Sequence, residues 1–93
     1  MTVKSITERA RPILLSHGVT SAALFGSHAR GEARRGSDVD ILVSLKSGSS
    51  LVDLISLEMV LGKKLKAKVD LVTEKSIHPK IRKYIEADLK KII

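Results

Sequence analysis

The sequence of 93 residues contains no cysteine and no tryptophan, a single phenylalanine, a single tyrosine and two prolines. Without cysteine, disulfide staples and thiolate metal sites are excluded, so any metal must rest on oxygen or imidazole. With Phe25 and Tyr84 as the only aromatics, there is no platform on which single-stranded bases could stack, and aliphatic side chains must fill the core. Long apolar runs are missing as well: none approaches the length that crosses a bilayer, and "MTVKSITERARP" lacks the apolar centre of a secretory leader. These absences lead to the expectation of a soluble, cytoplasmic protein with no membrane partner. No helix-turn-helix glycine turn or zinc-finger spacing is visible, so direct nucleic-acid binding is not expected. Repeats, low-complexity tracts and linkers are also lacking, and residues 1–93 read as a single domain.

Positive charge, by contrast, is abundant. Seventeen Lys and Arg against ten Asp and Glu give a formal charge of +7. That excess favours polyanionic partners such as nucleotides, nucleic acids or an acidic protein surface. Scattered lysines such as Lys4 and Lys46 read as ordinary solvation.

Apolar residues at Val3, Ile6, Ala10, Ile13 and Leu14 predict an amphipathic first helix ending near His17-Gly18, kinked or split at Pro12. "VTSAALFG" (19–26) reads as a strand that stops at glycine, and 27–35 as a short helix. "DVDILVSL" (38–45) is a second strand, with Val39, Ile41, Val43 and Leu45 on one side. Ser50, with Asp53 three residues on, caps a helix whose stripe is Leu51, Leu54, Ile55, Leu57 and Leu61. Leu65 extends it through Gly62, at a cost of about 1 kcal/mol. "AKVDLVT" (67–73) is a third strand. His78-Pro79 opens a last helix with the stripe Ile81, Ile85, Leu89 and Ile92. This order implies an α+β fold: one small mixed sheet covered by helices.

The chemistry gathers in "FGSHARGEARRGSDVDILV". Side chains alternate along a strand, so Asp38 and Asp40 leave the same face about 7 Å apart at Cα, while Val39 and Ile41 point into the core. Carboxylates fixed so close repel one another unless a cation lies between them, and hard oxygen donors on a rigid strand suit Mg²⁺ or Mn²⁺. Asp70 interrupts the apolar strand "VDLV", where a lone acid is costly unless paired, solvated or on metal. It is a candidate third ligand or general base. Gly26-Ser27 ends the first strand: glycine lets a phosphate approach the backbone, and the Ser27 hydroxyl and following amides can donate to it. Ser27 could equally be a plain N-cap. Arg30 could hold Asp or phosphate oxygens, and Ser37 could cap its loop or assist a phosphate contact. Antiparallel pairing of strands one and two would bring the glycine-serine turn and the carboxylates to one edge, the layout for a nucleoside triphosphate with divalent ions.

"GSHARG" followed by "GSDVDILV" resembles the signature of the DNA polymerase β superfamily of nucleotidyltransferases. With "VDLVT" supplying Asp70 and "HPKIRKYIEADL" closing the chain, the sequence is similar to the minimal nucleotidyltransferases, antitoxins paired with HEPN-domain ribonuclease toxins. It departs from the family pattern at His28, where an aromatic is frequent, and at Lys66, where glycine is often seen. The resemblance implies the polymerase-β-like fold and transfer of AMP from ATP to a tyrosine of the toxin, with release of pyrophosphate. It implies Asp38, Asp40 and Asp70 on two Mg²⁺ ions, a triphosphate beside Gly26, Ser27, Arg30 and Ser37, and a hetero-oligomer with the toxin. The alternative is a non-catalytic binding module that neutralises its partner by complex formation. Transfer to RNA ends fits the charge but lacks a reading surface.

So short a chain leaves no segment for a separate acceptor-binding domain, so the acceptor is expected to dock by its own surface against an apolar or basic patch near the acidic edge. His17, His28 and His78 lack metal-ligand spacing, and a surface role is expected for His28. Arg34, Arg35 and the lysines at 63, 64, 66 and 68 read as solvated or as facing an acidic partner. Tyr84 reads as core or rim.

Overall fold

A computed structural model describes all of residues 1–93. The elements are α1 (Val3–Ser16), β1 (Val19–Phe25), α2 (Gly26–Arg30), β2 (Val39–Leu45), α3 (Leu51–Leu65), β3 (Val69–Thr73), a 3₁₀ turn at Glu74–Ser76, α4 (Pro79–Asp88) and β4 (Lys90–Lys91). The sheet has the order β3-β2-β1-β4. β1 runs antiparallel to β2 and to β4, and β2 parallel to β3, so the mixed sheet is as expected.

Alternation along the strands divides the sheet into two unequal faces. Val39, Ile41 and Val43 of β2, with Leu24 of β1, point to one face and are buried against Ile6, Ala10 and Leu14 of α1 and Leu57, Leu61 and Leu65 of α3. Leu42 points the other way, into a small cluster with Ile77 and Ile85, flanked by Phe25, Val72 and Leu89. α4 therefore covers only part of the second face. Asp40 and Asp70 lie on that second face, since each alternates with residues of the main core.

Two reciprocal caps fix helix starts. Thr2 Oγ1 accepts from Ser5 N–H while Ser5 Oγ accepts from Thr2 N–H. Ser50 and Asp53 do the same for α3, where the Ser50 N–H donates to Asp53 at 2.7 Å. α3 continues through Gly62, as expected, and a methyl there would meet the Ala67 carbonyl oxygen at 3.2 Å.

Four sequence expectations need correction. α1 is one continuous helix with Pro12 inside it; proline removes one N–H, but the stripe Ile6, Ala10 and Leu14 anchors both halves to the same core. α2 spans only Gly26–Arg30, because Gly31 (φ 73) terminates it in the left-handed region. The chain does not stay helical through Ile92. α4 stops at Asp88, Lys90–Lys91 adds a strand beside β1, and Ile92 is buried against the main core. Finally, Leu51, Ile55 and Ile81 are exposed, and the buried face of α3 is Leu57, Leu61 and Leu65.

Candidate active site

Strand register assembles the site. Asp40 is the Cα partner of Phe25 across the antiparallel pair and of Asp70 across the parallel one. Paired residues on adjacent strands share a face about 4.8 Å apart, so Asp40 and Asp70 are neighbours on the second face. Asp38 comes just before the first residue of β2, and its carboxylate is 3.8 Å from Lys68 Nζ. β1 meanwhile delivers Gly26 to the same edge.

The electrostatics record this crowding. Burial raises the Asp40 carboxyl above the ordinary aspartate range, and the charges of Asp70 and Asp38 push it higher, against partial relief from His28 and Arg30. Burial likewise raises Asp70; Lys68 pulls against it, while the nearby Asp38 carboxyl and Glu58 push it further up. Three carboxylates thus influence one another across two strands. As they stand, no group of three acidic or imidazole side chains is arranged to hold a metal ion. The donor chemistry nonetheless suits a hard divalent cation, since hard oxygen ligands that destabilise one another's charged form are relieved by a cation between them.

Gly26 is fixed by two constraints. Its φ of 76 lies in the left-handed region, and a β-carbon there would overlap the Asp40 carboxylate. Only glycine lets the backbone pass so close to that acid. Ser27 is not the N-cap: Phe25 holds that position and makes no side-chain cap bond. Ser37 caps its loop by accepting from the Arg34 N–H at 2.8 Å.

Arg30 holds carboxylates, but not those of the acidic edge. Its Nη1 donates to Asp88 at 2.7 Å and its Nε to Glu32 at 3.2 Å. The first bond ties α2 to the end of α4, and its strength, with the Asp88 charge, holds the guanidinium more firmly protonated than usual. His28 is buried rather than on the surface, with Nε2 3.4 Å from the Ser37 carbonyl and Nδ1 without a partner. Tyr84 is exposed, with Lys83 over its ring at 5.3 Å. The largest exposed apolar side chains of α3, Leu51, Val52 and Met59, lie on the helix that covers the opposite face from the acids. Basic Arg34 and Arg35 are the exposed patch nearer the acidic edge. Sequence reasoning missed Glu58, whose Oε2 accepts from the Leu71 N–H at 2.8 Å on the outer edge of β3. An acid at a helix position facing an edge strand carries no motif.

Residues 7–92 match the family model for the nucleotidyltransferase domain. A protein of Methanocaldococcus jannaschii provisionally named a protein adenylyltransferase is 45% identical over 82 residues, 88% of each chain. The protein adenylyltransferase MntA of Thermococcus cleftensis is 39% identical over 80 residues, 86% of this chain and 81% of that one. A solved structure described as a minimal nucleotidyltransferase superposes with a TM-score of 0.82 at 32% identity, covering 97% of this chain and 95% of that one. The chain belongs to the minimal nucleotidyltransferases. A toxin–antitoxin complex solved with AMP-PNP shares the fold, with a TM-score of 0.82 at 24% identity over 94% of this chain and 72% of that one. In this nucleotidyltransferase the sheet carries Asp40 and Asp70 on two parallel strands, with Asp38 just before the first of them and glycine wedged against Asp40.

Proposed function

We propose that this nucleotidyltransferase is a protein adenylyltransferase that moves AMP from ATP to a tyrosine of a HEPN-domain toxin. The observation that carries this reading is the in-register pairing of Asp40 with Asp70, with Gly26 closed against Asp40. Relatives at 45% and 39% identity named as protein adenylyltransferases support the reaction class. The fold shared with a toxin–antitoxin complex supports the partner class.

The roles follow from position. Asp38 and Asp40 would hold the divalent ions, Mg²⁺ or Mn²⁺, and Asp70 would complete the set. When bound, such ions supply charge neutralisation at the phosphates and lower the pKa of a hydroxyl beside them. Asp70, paired in register with Asp40, would favour loss of the acceptor hydroxyl's proton. The freed oxygen forms a bond to the α-phosphorus, the bond from that phosphorus to the bridging oxygen breaks, and pyrophosphate leaves. Gly26 permits close approach of the triphosphate to the backbone, and the Ser27 hydroxyl donates to a phosphate oxygen. Ser37 and Arg30 act at one remove: Ser37 shapes the loop before β2, and Arg30 anchors α2 to α4.

A second reading is neutralisation by complex formation alone, which the fold shared with a toxin–antitoxin complex also fits. Incubation of the chain and its HEPN partner with α-labelled ATP and Mg²⁺ separates the two. Label on the partner that disappears with Asp38→Asn/Asp40→Asn supports transfer. Ribonuclease inhibition that survives those substitutions, with no label in the wild type, supports the binder.

A further inference from the structure

Helix α3 carries apolar side chains on both of its faces. Leu57, Leu61 and Leu65 fasten it to the core. At about 100° per residue, the direction pointing away from them holds Val52, Ile55, Ser56, Met59 and Val60. Val52 and Met59 are 73% and 61% exposed, and Ile55 and Val60 are exposed with them. Apolar side chains scattered over a surface need no explanation, but a stripe of them along one helix marks a face that another molecule covers.

The charges of α3 indicate which molecule. The whole chain is +7, yet within α3 two acids, Asp53 and Glu58, balance two bases, Lys63 and Lys64. The excess charge that would draw an acidic partner is therefore absent from this face. Glu58 is turned to the Leu71 N–H, which leaves Asp53 in the first turn and the two lysines in the last. Asp53 uses Oδ2 for the Ser50 cap and keeps Oδ1 for a further contact. Asp53 and Lys64 are eleven residues apart, about three turns, so they rise from the same flank of the stripe.

This pattern is complementary to itself. A half-turn about an axis crossing the middle of α3 lays a second copy of the helix antiparallel on the first. Asp53 of each copy then meets Lys63 and Lys64 of the other, small Ser56 faces Val60, and Met59 lies near its own counterpart at the axis. The helix dipoles also oppose one another. Parallel stacking would set acid against acid and lysine against lysine. A two-fold interface needs one patch that fits its own copy.

We propose that the outer face of α3 docks a second copy of this chain, giving a two-fold dimer with α3 packed antiparallel on α3. Because α3 covers the face of the sheet opposite Asp40 and Asp70, both acidic edges stay open in the dimer. The surface does not rest on the transfer reading. A contact one helix wide is smaller than a standard interface, so the dimer is reversible and governed by concentration.

The test is sedimentation equilibrium of the whole chain over a roughly hundredfold range of concentration. The expected result is a monomer–dimer equilibrium that weakens by about tenfold or more in Met59→Lys, which sets two like charges at the axis, and in Lys63→Glu/Lys64→Glu, which sets acids against Asp53. Circular dichroism should show both variants folded, since these side chains are exposed. The chain has no cysteine, so Met59→Cys supplies a single thiol. Mild oxidation should link it to its twin, and Ile81→Cys on α4, also exposed, should stay unlinked. A chain monomeric throughout, a dimer indifferent to either charge substitution, or equal linking at positions 59 and 81 would overturn the proposal. So would α3 substitutions that leave the dimer intact but abolish binding of the HEPN partner, which would assign this face to the toxin.

Discussion

At the residue scale, the acidic edge is a place where stability and function oppose each other. Asp40 and Asp70 both have carboxyls raised above their unfolded range, chiefly by burial and then by neighbouring charge. A carboxyl raised in the folded state favours folding below its unfolded pKa, and that contribution is lost as pH rises through the folded value. At neutral pH, without divalent ions, both groups therefore work against the fold. Asp40→Asn is expected to raise the melting temperature by a few degrees at pH 7, with a smaller gain near pH 4, by calorimetry at both pH values. The same substitution should cut adenylyl transfer by about 100-fold or more, the scale seen when one transition-state charge partner is removed. Gly26→Ala is expected to lower stability instead. Its φ of 76 and its closeness to Asp40 predict a loss of at least about 1 kcal/mol by denaturant titration, because both the backbone and the acid must shift.

At the element scale, helix α3 and the ends of α2 and α4 set the geometry around the acids. Glu58 of α3 satisfies the Leu71 N–H on an edge strand that has no further strand beside it. Glu58→Ala is expected to cost about 1–3 kcal/mol, because the strand amide next to Asp70 loses its partner in a half-buried setting. The chemical denaturation midpoint reads this directly. The α3 cap titrates in the opposite sense from the acidic edge. Asp53 is held below its ordinary range by the Ser50 N–H and hydroxyl, so its contribution is present at neutral pH and fades as pH falls through its folded value.

Much at this scale was legible in the sequence. The caps at Ser50–Asp53, the two strands flanking Gly26, and the alternation of Val39, Ile41 and Val43 around Asp40 all follow from local periodicity. The pairing of β1 with β2 followed from the need to unite the glycine-serine turn with the acids. Local pattern could not show that Leu89 and Ile92 belong to different structures. Both fit a helical stripe, and only the open edge of β1 turns Lys90–Lys91 into a strand. Nor could it show that Arg30 is engaged by Asp88, 58 residues away. That partner is fixed by how α4 folds back over the second face, not by anything near Arg30 in sequence. His28 was misjudged for a related reason: it is buried with its ring reaching the Ser37 carbonyl nine residues on, which nothing next to it in sequence forecasts.

At the scale of the whole molecule, a single small sheet carries a large apolar face under α1 and α3 and a second face that α4 covers only in part. The stability of the first face is what holds the acids in register on the second. Ile41, fully buried one residue from Asp40, should cost about 2–5 kcal/mol when changed to alanine, with loss of transfer following loss of the fold in parallel denaturation and activity curves. The charge of +7 also predicts that association with an acidic partner surface weakens as salt rises, since screening shortens the reach of the field.

The central claim is that Asp70 of β3 acts in one reaction with Asp40 of β2 and with Asp38 just before it. Single-turnover transfer from α-labelled ATP to the HEPN partner, wild type against Asp70→Asn at saturating Mg²⁺, tests it most directly. The account predicts a labelled partner with the wild type and a rate lower by about 100-fold or more with Asp70→Asn, in a variant that stays folded. An Asp70→Asn rate equal to the wild type would contradict it.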